Sequence, residues 1–437
     1  MRFLRLTALY SQMIVFVIIL TGRSSLYADR LRVDGETMGT GFFVTIDTPQ
    51  DGETRSGVLA EITAKLSEIN LQMSTWDSES EISEFNRFQS IDWFPVSSEF
   101  ASVVYEAKRI HELTGGAFDP TVSPLIDLWG FGTPDRSGVP DQAEIDDALR
   151  TVGMQHIEVR LQPAALRKLR TDVQLNLSAI AKGYAVDAIA EMLSRSGRPS
   201  FIVDIGGETR AGTVKASGEA WRIGVESPGS GFSRNVSPTR IVPVTMTSIA
   251  TSGDYRNFFD VNGTRYSHTI NPMTGCPVVD PPASVSVIHD SCMTADALAT
   301  AMMVLGVQRG IALANKEGYS VLFQTVGSHG SVIQQGTGIL ATTNTDSVLS
   351  ADEENASDLW VVFVAAGVLF CVAVGGMGIG VLISNRQIRG SCGGLSSIPG
   401  NDGVSNCELC SIPRDQCANE QLRQQQQAFG QSEPPAV

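Results

Sequence analysis

The segment Val173-Gln174-Leu175-Asn176-Leu177 runs directly into Ser178-Ala179-Ile180-Ala181-Lys182-Gly183. Apolar and polar residues alternate in the first part, which predicts a strand. From Ser178 to Arg195 apolar residues recur at helical intervals and Gly197 follows as a stop, which predicts a helix. A strand that leads into a helix N-terminus presents unpaired backbone amides to an anion, and Lys182 would add a positive charge. An ordinary helix capped by Ser178, with a solvated lysine, is the alternative.

Strand and helix patterns are interleaved around this segment. Helices are predicted over Val58–Leu71 and over Phe100–Leu113, where Thr114-Gly115-Gly116 ends the second one. Strands are predicted over Phe42–Ile46, Phe201–Ile205, Trp221–Val225, Ile241–Thr247 and Val285–His289. Several of these strands follow one another without a helix between them, which indicates the α+β class rather than a doubly wound sheet.

The composition bounds the class of protein. The 437 residues are 42% apolar and 18% charged, so a sizeable core can be buried and wholesale disorder is excluded. Asp and Glu number 47 against 32 Lys and Arg, and the resulting net charge of −15 excludes nucleic acid as the expected partner. The acidity leaves room for a divalent cation. Seven cysteines are too few for a disulfide scaffold.

Two apolar segments predict where the protein is located. Arg2 and Arg5 precede the apolar run Leu6–Leu20, and Leu26-Tyr27-Ala28 resembles a cleavage site, which is the layout of a secretory signal; a buried helix is the alternative. Leu359–Ile383 contains no charged residue over 25 positions, more than the ~20 needed to span a bilayer. Acidic residues precede this run and Arg386 follows it, so the body is expected outside the cytoplasm. We therefore expect a bacterial inner-membrane protein with a periplasmic body, a cytoplasmic tail and the lipid bilayer as a partner.

The chain accordingly divides into six predicted parts. They are a signal peptide or signal anchor (residues 1–28), a folded body (29–340), an acidic linker (341–358), a transmembrane helix (359–383), a cysteine-bearing tail (384–419) and a Gln-rich disordered end (420–437).

The segment from Cys292 to Thr300 is predicted to open a helix. Asp296 and Thr300 are four residues apart, so their oxygens lie on one helix face. A carboxylate with a hydroxyl suits Mg²⁺, which takes its remaining ligands from phosphate or water. An Asp placed in the first turn because the helix dipole favours it there is the alternative.

Three further motifs are candidates for a site. His268 follows a predicted strand and precedes Asn271-Pro272, so it is a candidate general base, although a structural histidine remains the alternative. The segments Asp204-Ile205-Gly206-Gly207-Glu208 and Thr251-Ser252-Gly253-Asp254-Tyr255 are glycine turns after strands, where backbone can approach a ligand closely.

Taken together and in order, these motifs resemble the ApbE family. The set comprises Met38-Gly39-Thr40, Ser74-Thr75-Trp76, Gly115-Gly116-Ala117-Phe118-Asp119-Pro120, Ser178 to Tyr184, the two glycine turns, Ser267-His268, Asn271 to Gly275 and Met293-Thr294-Ala295-Asp296. The resemblance implies an exported, Mg²⁺-dependent FAD:protein FMN transferase with a T-fold-like α+β core. Such an enzyme cleaves FAD, releases AMP and attaches FMN through a phosphoester to a Thr or Ser of a partner protein.

The resemblance also assigns residues. It places Met38, Trp76, Ala117, Phe118, Asp119, Asn176, Lys182 and Ile270 around FAD, and it makes Asp296, Thr300 and the carbonyl of Ala179 the metal ligands, with His268 as the base. The family commonly has Asp where this chain has Asn176, so a carboxylate contact to FAD becomes an amide contact. Trp76 and Phe118 are suited to stacking on flat rings, and core packing is the alternative.

The tail carries a second resemblance. Arg386 to Leu395, directly after the predicted span, resembles NqrM, a membrane protein that matures the sodium-pumping NADH:quinone reductase and is associated with iron supply. Cys392, Cys407, Cys410 and Cys417 would bind the metal on the reducing side of the membrane. The family's closing pattern differs here, since Cys417 is distant from Cys407-x-x-Cys410. Both resemblances imply flavin-acceptor subunits of one membrane redox complex as partners.

Three other functions stay open from the sequence. An FAD pyrophosphatase would use the same site with water as acceptor and would give free FMN and AMP. A flavin-binding module would lack catalysis, and an assembly factor would act mainly through the tail.

Overall fold

A computed structural model describes residues 30–342 except for 51, 133–137, 229–237, 239, 254–257, 262–263 and 328–330. The predicted signal, linker, membrane span, tail cysteines and disordered end lie outside the described residues.

Fifteen strands and seven helices are described. The strands are β1 (Leu31–Thr37), β2 (Thr40–Ile46), β3 (Phe94–Pro95), β4 (Ile157–Leu161), β5 (Ala164–Lys168), β6 (Phe201–Ile205), β7 (Glu208–Ala211), β8 (Trp221–Val225), β9 (Arg240–Val244), β10 (Ser248–Gly253), β11 (Phe258–Val261), β12 (Thr264–Ser267), β13 (Ser284–His289), β14 (Ser320–Val326) and β15 (Val332–Gly336). The helices are α1 (Arg55–Met73), α2 (Glu81–Arg87), α3 (Ser98–Leu113), α4 (Ser123–Leu128), α5 (Gln142–Leu149), α6 (Ala181–Arg195) and α7 (Cys292–Glu317).

Eight strands form one antiparallel sheet in the order β1-β2-β6-β7-β10-β13-β14-β15. Side chains of these strands alternate between two cores, as the two-residue period of a strand requires. Ala250, Val287 and Val321 face the core shared with the helices, whereas Ile249 and Ile288 pack with the β8–β9 hairpin. The sheet is therefore covered on both faces, and the predicted α+β class is confirmed.

Most predicted elements are confirmed. The helices predicted over Val58–Leu71 and Phe100–Leu113 lie within α1 and α3. The predicted strands correspond to β2, β6, β8, β9 and β13, and the segment from Cys292 opens α7 as expected. The strand predicted over Ile241–Thr247 ends early, at Val244, and Met246 has a positive φ of 50°.

The strand predicted over Val173–Leu177 is wrong. Its apolar side chains are buried, which accounts for the alternating pattern, but none of the described strands pairs with it. The side-chain amide of Asn86 takes the place of a neighbouring strand: its Oδ1 accepts the Leu175 N–H at 2.7 Å and its Nδ2 donates to the Leu175 carbonyl at 2.8 Å.

Helix α6 begins at Ala181 rather than at Ser178, and Ile180 occupies the N-cap without a side-chain hydrogen bond. The Ser178 cap is therefore also wrong. The Ser178 N–H donates instead to Asn176 Oδ1 at 2.9 Å.

Helix α7 is, among the described residues, the one helix long and apolar enough to cross a membrane by length and composition. Its buried side chains pack against β10, β13 and α6 in the main core of the domain. Gly306, with φ 72°, interrupts the helix near its middle.

Asp187, on α6, caps the start of α7. Its carboxylate accepts hydrogen bonds from the Ser291 hydroxyl at 2.8 Å and from the Cys292 and Met293 amides at 3.0 Å, and it pairs with Arg210. The carboxylate thus satisfies orphan donors of the helix and complements its dipole.

Replacing Asp187 with Ala is expected to lower the free energy of unfolding by about 2 kcal/mol, because the cap hydrogen bonds and the partner of Arg210 are lost together. Urea unfolding measured by circular dichroism tests this expectation. Glu191→Gln is the control, since Glu191 on the same helix forms an exposed ion pair with Arg195; it should change the free energy by under about 0.5 kcal/mol. Equal effects of the two variants would contradict the capping role.

Candidate active site

A cavity of about 730 Å³ lies where the sheet parts between β7 and β10. The two strands pair only at Ser248–Arg210 and Ile249–Thr209, whereas β10 pairs with β13 along its full length. Beyond Ile249, residues of β10 and the Gly206-Gly207 turn line the cavity instead of pairing with each other. The volume is typical of a cofactor or nucleotide site.

Asp296 lies on α7 at the floor of this cavity and is 2% exposed. Its Oδ2 accepts the Gly183 N–H at 3.0 Å, which ties α7 to the first turn of α6. A Cβ on Gly183 would lie 2.4 Å from the Cys292 carbonyl oxygen and 2.8 Å from Asp296 Cβ, so only glycine permits this approach.

Lys182 places its ammonium between two carboxylates. Its Nζ lies 3.6 Å from Asp296 Oδ2 and 3.4 Å from Glu208 Oε1. Burial acts to lower the pKa of Lys182, but the two carboxylates outweigh it and raise the pKa above its ordinary value. Burial raises the pKa of Glu208 to about 8, against the opposing charge of Lys182.

The predicted magnesium ligands lie in the same cavity. Asp296, Thr300 and Ala179 all line it, and Thr300 Oγ1 is 3.2 Å from the Ser252 hydroxyl. A carboxylate, a hydroxyl and a backbone carbonyl are hard oxygen ligands of the kind that Mg²⁺ prefers. Among the described residues, Glu208 Oε2 is buried and has no hydrogen-bond partner, which is consistent with a site built to hold a further cation charge. Within the described residues, no group of three or more His, Cys, Asp or Glu side chains could hold a metal ion.

His268 lines the cavity directly after β12 and is half-buried. Its ring lies edge-on to Phe131, with 6.4 Å between the centroids. His268 thus follows a strand, as the sequence predicted, and lines the cavity; its role as a base stays a prediction.

The segment Ala117–Asp119 also lines the cavity, but the Asp119 carboxylate already has hydrogen-bond partners within the protein. Asp119 Oδ1 accepts hydrogen bonds from the Thr121 amide at 2.8 Å and hydroxyl at 2.5 Å, and Oδ2 lies 3.2 Å from His111 Nδ1. Burial lowers the pKa of His111, but the hydrogen bond and charge of Asp119 outweigh this effect, so the pKa is raised. Phe118 is 3% exposed and belongs to the main core, so packing accounts for most of its surface.

Two residues assigned to FAD lie elsewhere. Trp76 follows α1 and is 92% exposed, and Met38 occupies the β1–β2 turn with φ 50°; neither lines the cavity. Their contact with FAD stays a prediction. Asn176 and Ile270 do line the cavity. Because Asn176 Oδ1 accepts the Ser178 amide, Nδ2 is the side-chain atom that Asn176 offers to a ligand.

The sequence of the body matches a known family. The model of the ApbE family matches residues 38–323. The chain belongs to the ApbE family.

Relatives of this family are similar over most of their length. The FAD:protein FMN transferase of Vibrio cholerae is 41% identical over 297 residues, which are 68% of this chain and 87% of that protein. The protein of the same name from Escherichia coli K12 is 34% identical over 67% of this chain and 83% of its own length. The motif-based resemblance is thus confirmed.

Solved structures share the fold. The flavin transferase ApbE from Vibrio cholerae superposes with a TM-score of 0.64 at 37% identity, over 72% of this chain and 98% of that chain. The ApbE protein from Thermotoga maritima gives a TM-score of 0.61 at 28% identity, over 70% and 97% of the two chains. The α+β fold of the family is confirmed, and the T-fold label stays a prediction.

The tail matches a second family model. Residues 381–429, outside the described part of the chain, match the family described as (Na+)-NQR maturation NqrM. The second resemblance is therefore confirmed as well.

Glu208 is the site residue of this ApbE-family chain that sequence reasoning missed. It closes the quoted motif Asp204–Glu208, yet no role was assigned to it. A carboxylate directly after two glycines was the available signal, because such a turn brings backbone and side chain close to a ligand.

Replacing Gly183 with Ala is expected to lower the free energy of unfolding by about 1–3 kcal/mol or more, because the new methyl group meets backbone that cannot move away. The urea midpoint measures the effect. Gly57→Ala in α1 is the control: Gly57 is exposed, and the added Cβ meets only the Thr54 hydroxyl at 3.2 Å. This control should unfold at the same or a higher urea concentration. Wild-type stability of the Gly183 variant would contradict the close contact of α6 and α7.

Proposed function

We propose that the body of this chain is a FAD:protein FMN transferase, which cleaves FAD, releases AMP and attaches FMN through a phosphoester to a Thr or Ser of a partner protein. The observation that carries the proposal is the juxtaposition in one cavity of the Lys182 ammonium, the Asp296 carboxylate and the His268 imidazole. Relatives that bear this name align with the chain over more than four-fifths of their own length.

Phosphoryl transfer depends mainly on positioning and on neutralising charge, and the cavity residues supply both. Bound Mg²⁺, held by Asp296, Thr300 and the Ala179 carbonyl, would withdraw charge from the FAD diphosphate. Lys182 adds a second positive charge beside it. His268 accepts the proton of the acceptor hydroxyl while the hydroxyl oxygen forms its bond to the FMN phosphorus. The bond from that phosphorus to the bridging oxygen breaks, and AMP leaves.

The purified protein, supplied with FAD, Mg²⁺ and a candidate acceptor subunit, tests the proposal. We expect a flavin-fluorescent acceptor band in a denaturing gel and one AMP released for each FMN attached. Free FMN and AMP without a labelled protein would instead identify an FAD pyrophosphatase. Absence of any FAD turnover would leave an assembly factor that acts through its tail.

Asp296→Ala, or addition of EDTA, is expected to reduce transfer by about 10² or more, because the diphosphate charge is then uncompensated. The rate of in-gel labelling at saturating FAD measures this effect. Asp290→Ala is the matched control, since Asp290 is an exposed carboxylate just before α7, and it should transfer at the wild-type rate. Undiminished labelling in EDTA would contradict the metal assignment.

His268→Ala is expected to slow transfer by ~10²–10⁴ while leaving FAD affinity nearly unchanged, because a general base acts in the chemical step. Single-turnover labelling and FAD binding are measured separately. His156→Ala serves as control, because His156 lies outside the cavity. A variant that bound FAD poorly but turned over normally at saturation would make His268 a binding residue.

For the tail we propose a cytoplasmic location and a role in supplying iron to the same complex that receives FMN. The match of residues 381–429 to NqrM supports this proposal, as do the charges that flank the apolar run Leu359–Ile383. Four thiols between Cys392 and Cys417 suit a soft or borderline metal in a reducing compartment. The acceptor is accordingly proposed among subunits of the sodium-pumping NADH:quinone reductase.

Deletion of residues 386–437 is expected to leave FMN transfer intact and to impair assembly of the iron centre of the reductase, because the body and the tail act on the reductase independently. Flavin fluorescence and iron content of the isolated complex measure the two outcomes. In intact cells, Cys392 should resist membrane-impermeant thiol reagents. Labelling of Cys392 from outside would show that the proposed topology is wrong.

A further inference from the structure

Phe43 is an exposed aromatic side chain that lines the cavity. It lies in β2 between Phe42 and Val44, which are buried in the main core, so the two-residue period of the strand turns it to the opposite face of the sheet. The residue is 61% exposed. An exposed phenylalanine is ordinary on a protein surface, so its surroundings decide whether it has a role.

The backbone beside the Phe43 ring belongs to three glycines. The ring leans along β2 over Gly41, since a Cβ on Gly41 would lie 3.6 Å from Phe43 Cε2 and 3.9 Å from Cζ. The Gly206 N–H donates to the Gly41 carbonyl at 3.1 Å, which holds the Gly206-Gly207 turn against β2. A Cβ on Gly207 would meet no atom of the described residues within 4 Å, so the space over the turn is open. Phe43, Gly41, Gly206 and Gly207 thus form a recess in the cavity wall, which we call the aromatic recess.

The two aromatic residues that the sequence suggested for stacking are less available than Phe43. Phe118 lines the cavity but is buried in the main core, and Trp76 is exposed but does not line the cavity. Among the phenyl and indole rings of the described residues, Phe43 alone both lines the cavity and keeps most of its surface exposed. It is therefore the ring in this cavity that a flat ligand group can cover.

We propose that Phe43 contacts FAD, with one planar heteroaromatic ring of FAD stacked on the phenyl ring in the aromatic recess. The inference rests on the proposed function, in which FAD occupies the cavity. The recess adjoins the charged cluster, because Glu208 directly follows Gly207 and lies 3.4 Å from Lys182. A ligand with a diphosphate beside Lys182 and a flat ring at its end fits this order of charged and apolar surface.

FAD binding by variants of Phe43 tests the contact. FAD is titrated calorimetrically into the purified full-length protein with Mg²⁺ and without an acceptor protein. Phe43→Ala removes the ring and should weaken FAD binding about tenfold. Phe43→Leu keeps apolar bulk without a flat ring and should weaken it about threefold or more, whereas Phe43→Trp restores a flat ring and should bind within about threefold of the wild type. Recovery by Trp and not by Leu is a result that a general effect on folding does not give.

FAD has two rings that could occupy the recess, isoalloxazine and adenine. Separate titrations with FMN and with AMP distinguish them, because each of these ligands carries one ring. Phe43→Ala should weaken binding of one ligand about tenfold and leave the other within about twofold. Equal binding losses for both ligands, or for neither, would overturn the stacking contact.

Tyr105→Ala is the matched control, since Tyr105 on α3 is an exposed aromatic side chain outside the cavity. It should bind FAD within about twofold of the wild type. The acceptor protein is the other molecule that could cover Phe43, so transfer is also measured at varied acceptor concentration. If Phe43→Ala raises the KM for the acceptor while FAD binding is unchanged, Phe43 contacts the acceptor and the stacking contact is overturned.

Failure of this inference differs from failure of the proposed function. If the wild type binds FAD and labels its acceptor while Phe43→Ala binds FAD equally well, the role of Phe43 is overturned and the proposed function stands. A Phe43→Trp variant that binds FAD no better than Phe43→Leu also overturns the role. If the wild type binds no FAD, the proposed function fails and the role of Phe43 fails with it.

Discussion

The close contact of α6 and α7 at Gly183 is the constraint on which the site depends. With no side chain at Gly183, the backbone of Cys292 can lie against α6, and the Gly183 amide reaches the Asp296 carboxylate. The same contact brings Lys182 beside Asp296. One turn later, Asp187 caps α7 and fixes the position of its first residues. Two helices far apart in the sequence thus build one charged cluster because one residue lacks a Cβ.

This arrangement changes how an anion would be held. The sequence predicts that backbone amides at the start of α6 bind an anion. In the structure, however, Asn176 accepts the hydrogen bond of the Ser178 amide and Asp296 accepts that of the Gly183 amide. The amides at the start of α7 are taken by Asp187. Under the proposed function, positive charge for a phosphate would therefore come from Lys182 and a bound cation rather than from a helix dipole. The helix termini serve to position the carboxylates.

Local signals were predictable from the sequence, and contacts between distant segments were not. The four-residue spacing of Asp296 and Thr300 predicted that both side chains lie on one helix face. His268 was predicted to follow a strand, as it does, and all three residues line the cavity. The alternation in Val173–Leu177 reflected burial. The backbone of this segment pairs with the side chain of Asn86, a contact that sequence periodicity does not reveal. Glu208 was quoted without a role because its partner, Lys182, lies on another element.

The parting of the sheet explains why the charged cluster lies in a cavity rather than in a closed core. Strands β7 and β10 pair over two positions only, so the end of β10 that carries Ser252 faces the cavity, where Ser252 meets Thr300 of α7. Had β7 continued beside β10, backbone pairing would have filled the space that a ligand diphosphate needs. The Gly206-Gly207 turn ends that pairing and at the same time aims Glu208 at Lys182. The Gly206-Gly207 turn therefore both opens the cavity and places the Glu208 carboxylate beside Lys182.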